Sequence, residues 1–443
     1  MSSARPGDEL HLGAAEFTAA FRRAADEAQG LSLGVEGLRP RGIIIPAGGA
    51  RMFTCAWVAV RMLRDFLKVS VPVQIWHIGP QEMSPAMQAL LAEQQVETVD
   101  ALALLNERGG GRGLGGFELK SFALRYCDFH EVFLLDADNV PLIDPTDVFS
   151  LPGFLDAGAM FWPDFVSIAA SSRIWDLCGV AYRRMPSFES GQMAVDRVKH
   201  FPALALSWFL NRHSRLVYQH IYGDKDTFLV AWLALGAPFH LVPQAAKRLV
   251  GSFCQHDAEG RRLFQHRSGR KWILHGENPE IQGFREEQRC LSYLAELRSR
   301  WTGRVFWPPA CDDEMTGIAR SLIAQRSFRL EAVSLRTELV ELLPGNLMLR
   351  RGRAASWWLS RQEGRVMLSV GEDSVICRTF ERHAPQYWRS PAARADEQDL
   401  ILTAEDKPEA LLPEGHSSDG IELVLAGWHR NYDKLDRPEG DGL

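Results

Sequence analysis

A run of apolar residues that ends in two carboxylates is the feature that most constrains the fold of this chain. Residues 131–135 have the composition of a buried strand, and Asp136 and Asp138 follow where such a strand would leave its sheet. Ligands of open α/β sheets bind outside the carboxyl ends of the strands. Hard divalent cations commonly lie between one or two carboxylates and the phosphates of a substrate. The pattern therefore favours an α/β sheet with a metal–diphosphate site, although acidic residues are also frequent in ordinary turns.

The flanking sequence alternates between predicted strands and predicted helices. The strands are predicted at residues 42–46, 71–78, 131–135 and 157–162, and the helices at 14–28, 52–66, 84–95 and 118–126. Such alternation is typical of a largely parallel α/β sheet.

After about residue 310 the pattern changes to a predicted helix at 314–325 and then to short alternating segments with glycine-containing turns. This change predicts a small all-β domain, whose aromatic residues we expect in its core rather than on a sugar-binding surface. These aromatic residues are Trp357, Trp358, Tyr387 and Trp388. The predicted domains are an N-terminal helical extension (1–38), an α/β domain (39–310), a helical linker (311–326), a small β domain (327–404) and a partly loose tail (405–443).

The composition argues against several classes of protein. The net charge of −6 lacks the basic footprint of a nucleic-acid-binding protein. The seven cysteines are scattered without a C-x-x-C pair, so neither a zinc knuckle nor a thioredoxin-like motif is predicted. No apolar run approaches the roughly 18 residues of a spanning helix, and the acidic N-terminus lacks the pattern of a secretory signal. We therefore expect a cytoplasmic protein without an integral membrane segment.

The first cluster beyond the two carboxylates contains Glu189, Ser190, Gly191 and Gln192. Small residues allow a backbone to approach a sugar ring closely, and the side chains of Glu189 and Gln192 could hydrogen-bond its hydroxyls. The alternative is an ordinary loop ahead of a buried strand.

The second cluster is Asp224, Lys225 and Asp226, at the start of a helix predicted over residues 227–235. Capping and the helix dipole explain at least one of the two acids. A lysine between them could stabilise a leaving phosphate. Ahead of the Asp-x-Asp strand, Lys120 could reach nucleotide phosphates, but taken alone it is more typical of a surface residue paired with an acid.

The third cluster surrounds His266, whose neutral imidazole can ligate a metal ion. Lys271, Arg267 or Arg270 could neutralise phosphate oxygens, since an arginine can bind two at once. Residues 256–257, a His-Asp pair, are an alternative source of metal ligands.

In their order these clusters resemble the motifs of GT-A glycosyltransferases of the retaining glycogenin type. Those motifs are a lysine helix, Asp-x-Asp, an Asn-Ser-Gly strand, an Asp-Gln-Asp helix start and His-x-x-Gly-x-x-Lys-Pro-Trp. The matching residues are Lys120, Asp136–Asp138, Glu189–Gly191, Asp224–Asp226 and His266–Trp272. A closer likeness, over about residues 40–300, is to α-mannosyltransferases related to the fungal mannan-branching enzymes. It is carried by residues 45–49, 76–80, 134–141, 188–192 and 223–228.

The resemblance implies a GT-A fold and a metal-dependent retaining glycosyltransferase that uses Mn²⁺ or Mg²⁺. Its donor would be a nucleoside-diphosphate sugar, with GDP-mannose favoured, and its acceptor a glycan, lipid-linked or protein-linked. The implied metal ligands are Asp136, Asp138 and His266, with the ribose as an alternative partner of Asp136. The implied catalytic residues are Glu189, Asp226 and Lys271. The implied nucleotide-sugar contacts are Pro46, Ala47, Gly48, Arg51, Lys120, Asp136, Ala137, Gly191, Gln192, Asp224, Lys225 and Gly269.

The departures from the glycogenin-type motifs concern the sugar. Glu189 replaces Asn, Lys225 replaces Gln, and the last motif is one residue shorter and lacks Pro. Because the replaced Asn and Gln lie near the transferred sugar in that family, its donor preference does not carry over. Retention through a protein nucleophile or through front-face attack stays open, as do the acceptor and the oligomeric state.

Two other functions are compatible with parts of the sequence. A nucleotidyltransferase also uses acids and a metal, but it needs a glycine-rich basic loop after its first strand, which residues 47–51 match weakly. A non-catalytic glycan-binding protein with a degenerate transferase domain is the other alternative. The presence of both aspartates, His266 and Lys271 argues against degeneration.

Overall fold

The computed structural model describes residues 12–109, 114–274, 277–301, 303, 313–325, 327–332, 335–343, 347–350, 353–362, 365–372, 375–384, 387–390 and 400–404. The helices are α1 (Ala14–Gln29), α2 (Gly49–Arg61), α3 (Pro85–Glu93), α4 (Ala101–Glu107), α5 (Leu119–Tyr126), α6 (Pro152–Ala157), α7 (Ile174–Cys178), α8 (Arg197–Arg212), α9 (Ser214–Val217), α10 (Asp224–Leu235), α11 (Glu287–Arg300) and α12 (Asp313–Gln325). The strands before α12 are β1 (Arg39–Pro46), β2 (Val73–His77), β3 (Val96–Asp100), β4 (Phe129–Leu135), β5 (Asn139–Pro141), β6 (Ala159–Pro163), β7 (Phe188–Asp196), β8 (His240–Leu241), β9 (Lys247–Leu249), β10 (Ser252–His256) and β11 (Arg262–His266). The strands after it are β12 (Ser327–Ala332), β13 (Leu335–Leu343), β14 (Leu347–Arg350), β15 (Arg353–Gln362), β16 (Arg365–Glu372), β17 (Val375–Ala384), β18 (Tyr387–Ser390) and β19 (Leu400–Ala404).

A mixed central sheet, with the strand order β3-β2-β1-β4-β7-β6-β8, organises the first part of the chain. Strands β3, β2, β1 and β4 pair in parallel, whereas β7 runs antiparallel to both β4 and β6. The predicted α/β class is confirmed. The segment around Glu189 is not the expected loop ahead of a strand, because β7 already begins at Phe188.

Both faces of this sheet are covered, which explains why its strands are continuous apolar runs. Successive residues of a strand point to opposite faces. In β1, Ile43 and Ile45 belong to the core that includes residues of α2, α3 and α11, whereas Ile44 belongs to the core that includes residues of α1, α5, α8 and α10. Short apolar runs were therefore sufficient to predict β1, β2 and β4.

A smaller sheet, in the order β5-β11-β10-β9, lies beside the carboxyl end of β4. Strand β5 begins one residue after the Asp-x-Asp pair and runs antiparallel to β11, with Asn139 opposite His266. Strands β9 to β11 were not predicted from the sequence. Their pairing brings a distant histidine to the end of β4.

The predicted all-β domain is a closed barrel formed by β12 to β19, in which β12 also pairs with β19. Trp357 and Trp388 are buried in its interior, as expected of core residues. Helix α12 occupies the position of the predicted linking helix. The tail predicted from residue 405 lies outside the described residues.

Among the helices described, none has both the length and the apolar character needed to cross a membrane.

The buried side chain of Arg197 ties three elements of the central domain together. It is 2% exposed and stands at the start of α8. Its guanidinium donates hydrogen bonds to the backbone oxygens of Leu124 (2.7 Å), Arg125 (2.5 Å) and Phe129 (2.6 Å). The first two oxygens belong to the last turn of α5, where helical carbonyls lack partners within the helix. Arg197 therefore fixes the end of α5 and the beginning of β4.

We predict that Arg197→Met lowers the free energy of unfolding by about 3 kcal/mol, because buried carbonyl groups left without donors are costly. Urea unfolding followed by circular dichroism measures this change. Arg22→Met, at an exposed position of α1, is the matched control and should change stability by less than about 0.5 kcal/mol. Equal midpoints for the two variants would contradict the anchoring role.

Candidate active site

Asp136, Asp138 and His266 converge at the carboxyl end of β4. One donor atom from each residue lies within 4.8 Å of the donor atoms of the other two. The Nε2 atom of His266 is 3.1 Å from Oδ1 of Asp138 and 3.8 Å from Oδ2 of Asp136. Carboxylate oxygens suit Mn²⁺ and Mg²⁺, and an imidazole nitrogen suits transition metals. These three residues therefore fit a divalent cation such as Mn²⁺.

The alternative ligand pair does not belong to this group. Within the described part of the chain, the group of converging acids and histidines contains neither His256 nor Asp257. The carboxylate of Asp257 instead accepts hydrogen bonds from the backbone and side chain of Arg261. Of the two histidines considered from the sequence, His266 is the one next to the Asp-x-Asp pair.

Backbone contacts with β7 and β11 hold the Asp-x-Asp turn. The backbone nitrogen of Asp136 donates to the oxygen of Gly191 (2.8 Å), and the oxygen of Asp138 accepts from the nitrogen of Arg267 (2.9 Å). The amide of Asn139 donates to the oxygen of Gly191 (2.9 Å) and to Oε1 of Gln192 (2.7 Å). Both carboxylates are consequently held against the strand that carries Glu189.

The side chain of Gln192 does not line the site, contrary to the expectation that it would bond a sugar. It is fully buried, and its oxygen accepts from Asn139. Ala137 likewise packs into a hydrophobic core. Gln192 and Ala137 therefore contribute to the shape of the turn rather than to an accessible surface.

Lys120 is a buried partner of the acids, and the surface interpretation of this residue is wrong. Its Nζ atom lies 2.8 Å from Oδ2 of Asp136, 3.0 Å from Oγ of Ser190 and 3.5 Å from Oδ2 of Asp224. The side chain of Lys120 is 13% exposed. One ammonium group thus joins three of the clusters found in the sequence.

Lys271 forms the matching ion pair with Asp138 on the other side of the turn. Burial by itself would raise the pKa of Asp138, but Lys271 and His266 outweigh it and hold this pKa well below the usual range. Burial likewise disfavours the imidazolium, yet Asp138 and Glu189 raise the pKa of His266 to about 10. The site is therefore a compact set of charged pairs, and a cation bound by His266 must displace a proton.

Arg51 adds a second positive charge near Lys271. Burial lowers the pKa of Lys271, but the carboxylate of Asp138 raises this pKa, and the net shift is upward. The charge of Arg51 acts against the upward shift. Arg51 belongs to the first turn of α2, whose amino end also carries a partial positive charge. Lys271, Arg51 and this helix end are suited to an anionic group beside Asp138.

The loop between β1 and α2 packs against the side chain of Glu82. A Cβ atom on Gly48 would lie 2.2 Å from Oε2 of Glu82, so the close approach requires glycine. Pro46 and Ala47 are buried, and the nitrogen of Ala47 donates to the oxygen of Trp76 (2.8 Å). The carboxylate of Glu82, which also accepts a hydrogen bond from the nitrogen of Ile78 (2.8 Å), therefore packs against this loop.

Arg267 is not a phosphate ligand, contrary to one of the options raised by the sequence. It is fully buried, donates to Oε1 of Glu287 (2.5 Å) and lies 3.7 Å from the ring centre of Trp272. It also donates to the oxygen of Arg270 (2.7 Å). Arg267 therefore anchors the loop that presents Lys271. In the same loop, a Cβ atom added to Gly269 would lie 3.5 Å from the backbone of Gly251, an ordinary contact distance.

On strand β7, the side chains of Glu189 and His266 meet over Gly191. Oε1 of Glu189 accepts from the nitrogen of Gly191 (2.9 Å) and lies 3.5 Å from Nδ1 of His266. A Cβ atom on Gly191 would be 2.6 Å from Nδ1 of His266 and 2.9 Å from Oε1 of Glu189. Only glycine leaves room for both side chains at this point of β7.

A second ion pair, between Lys225 and Asp164, borders Glu189. Burial raises the pKa of Asp164, and the nearby charge of Glu189 raises it further, while Lys225 opposes both effects. Asp226 is buried beside this pair, and its Oδ2 accepts from the nitrogen of Tyr222 (2.9 Å). The sequence analysis missed Asp164, although it follows a predicted strand just as Asp136 follows β4.

A family model described as "Mannosyltransferase putative" matches residues 40–185 and 180–270, which together make up more than half of the chain. The chain belongs to this family. The likeness to α-mannosyltransferases that the motifs indicated is thereby confirmed. The match runs from β1 to β11, the part of the fold that carries the Asp-x-Asp pair and His266.

Individual relatives of this mannosyltransferase family are distant. Alpha-1,2-mannosyltransferase MNN2 of Saccharomyces cerevisiae is 25% identical over 189 residues, which cover 33% of this chain and 31% of the relative. Alpha-1,2-mannosyltransferase MNN5 of the same yeast is 26% identical over 208 residues, which cover 34% and 35%. The chain thus spans about a third of the length of these relatives. The crystallised mannosyltransferase Ktr4p from S. cerevisiae aligns at 12% identity over 53% of this chain and 81% of that chain, with a TM-score of 0.32, too low to support an inference.

We predict that Gly191→Ala weakens the binding of Mn²⁺ at least about tenfold, since the added Cβ atom would displace the imidazole of His266 from the group of converging donors. Isothermal titration calorimetry measures the change. Gly34→Ala, whose added Cβ meets nothing within 4 Å, is the matched control and should bind as the wild type does. Unaltered binding by Gly191→Ala would show that the close approach of His266 and Glu189 is not needed.

Proposed function

We propose that this protein is a metal-dependent retaining glycosyltransferase that takes a sugar from a nucleoside-diphosphate donor and transfers it to a glycan. The observation that carries the proposal is the convergence of Asp136, Asp138 and His266 beside Lys271 at the carboxyl end of the sheet. Membership in a mannosyltransferase family supports the same reaction class.

For the donor we propose GDP-mannose, giving an α-mannosyl product. The support comes from the relatives, which are described as alpha-1,2-mannosyltransferases. The proposed acceptor is a lipid-linked or protein-linked glycan. A cytoplasmic location stays a prediction.

In the proposed reaction Asp136, Asp138 and His266 would hold Mn²⁺ or Mg²⁺, and the bound cation would supply positive charge to the donor diphosphate. Lys271 and Arg51 stabilise the diphosphate as it departs, where negative charge develops. Lys120 keeps Asp136 in place through its short ion pair. These residues act on the leaving group rather than on the sugar.

Glu189 is the proposed carboxylate on the sugar side, either as nucleophile or as a charge that stabilises an oxocarbenium-like transition state. Burial would raise its pKa, but the contact with His266 outweighs this effect and keeps the carboxylate ionised. Asp226 is the weaker candidate, because burial raises its pKa and the backbone of Tyr222 already engages one oxygen.

We predict that Asp138→Asn lowers the rate of sugar release from GDP-mannose at least about a thousandfold, because the metal and Lys271 both lose their charged partner. Hydrolysis of a panel of GDP- and UDP-sugars with Mn²⁺ measures this rate and identifies the donor. Asp147→Asn, the same change at an exposed position nearby, is the control and should retain full activity.

Three results, from this assay, from incubation with a sugar 1-phosphate and a nucleoside triphosphate, and from a binding assay, would contradict the proposal. Full activity of Asp138→Asn in the presence of a chelator would show that the reaction does not need a metal ion bound by Asp138. Release of pyrophosphate from a sugar 1-phosphate and a nucleoside triphosphate would favour a nucleotidyltransferase. Binding of glycans without any binding of nucleotide would favour a non-catalytic protein.

A further inference from the structure

Two exposed aromatic rings flank the buried ion pair of Asp164 and Lys225. Tyr222 is 56% exposed, and the Nζ atom of Lys225 lies 4.7 Å from the centre of its ring. Phe165 is 36% exposed, and its backbone nitrogen donates to Oδ1 of Asp164 (2.6 Å). Isolated exposed aromatic residues are common on proteins. Tyr222 and Phe165, in contrast, both contact the ion pair of Asp164 and Lys225, which lies at the edge of the active site.

A chain of ring contacts connects this surface to the proposed metal ligands. The ring of Phe165 packs edge-on against Phe253 at a centroid distance of 5.5 Å, and Phe253 lies 4.9 Å from the ring of His266. On the other side, the charges of Lys225 and Asp164 are close enough to Glu189 to couple with it. The surface therefore borders the sugar end of the site.

Arg248 completes the rim of this surface. Its guanidinium carbon lies 4.1 Å from the ring centre of Phe165, and the side chain is exposed. Among the residues that the structure describes, Arg248 has no carboxylate partner. Stacking on Phe165 therefore holds a planar group whose hydrogen-bond donors are available at the rim.

We propose that Phe165, Tyr222 and Arg248, here called the acceptor surface, bind the sugar ring of the glycan that receives the transferred residue. A pyranose has an apolar face of C–H groups, which packs on aromatic rings, and a rim of hydroxyls, which need polar partners. Lys225, Asp164 and Arg248 supply such partners next to the rings. A purely apolar occupant would cover the guanidinium of Arg248 without offering an acceptor to its donors. The inference rests on the proposed glycosyltransferase function.

The test uses the full chain, Mn²⁺ and the donor selected by the hydrolysis screen, with methyl α-D-mannopyranoside and other methyl glycosides as acceptors. We expect Phe165→Ala and Tyr222→Ala each to raise the KM for the acceptor about tenfold. The affinity for GDP with Mn²⁺ should stay within about twofold of the wild type. Leu155→Ala, a 64% exposed residue of α6 at the amino end of β6, is the control and should change neither value.

The possible outcomes separate this inference from the proposed function. Wild-type acceptor KM values in both aromatic variants would overturn the acceptor surface while leaving the transferase intact. Donor hydrolysis without transfer to any methyl glycoside would exclude a simple sugar ring as the occupant. If no nucleotide sugar reacts at all, the proposed function fails. In that case, saturation-transfer NMR with methyl α-D-mannopyranoside tests whether the acceptor surface binds a sugar. Loss of the signal in Tyr222→Ala supports binding at this surface, and an unchanged signal refutes it.

Discussion

The mutual neutralisation of buried charges at the end of β4 is the interaction on which the rest of the site depends. Asp136 pairs with Lys120, and Asp138 pairs with Lys271 and His266. Removing such charges from water is costly, and each charge can be buried only because an oppositely charged partner is buried beside it. The partners come from α5, β11 and the loop after β11, so the central sheet and the small sheet must both be formed for the carboxylates to be compensated.

Elements with a regular pattern of apolar residues could be predicted from the sequence. Strands that form only by pairing with segments far away in the chain could not. Apolar runs identified β1, β2 and β4, and the Ser-Pro signal identified α3, which Ser84 caps. Strands β9 to β11 are short and mixed in composition, and they pair with one another and, through β11, with β5. Taken alone, Lys120 is more typical of a surface residue, because nothing in the local sequence shows that Asp224 will approach it. Asp164 could have been found, since it obeys the same strand-end rule as Asp136.

The departures from the glycogenin-type motifs compensate one another in charge. A glutamate in place of Asn adds a negative charge at position 189, and a lysine in place of Gln adds a positive charge at position 225. Glu189 is matched by His266, whereas Lys225 is matched by Asp164. The part of the site around Glu189 is thus an ionic network, whereas the part around Asp138 keeps the aspartates, histidine and lysine of the motif. This division explains why reaction class is easier to infer from the sequence than sugar identity.

The pairing of β5 with β11 has a consequence for the order in which the site can form. His266 and Asp138 are separated by 128 residues in the chain. During synthesis, the aspartates are therefore made long before the histidine and Lys271 that complete their environment. A growing chain that ends before β11 lacks one of the three converging donors and the ammonium beside Asp138. Completion of the three converging donors is thus a late event of biogenesis.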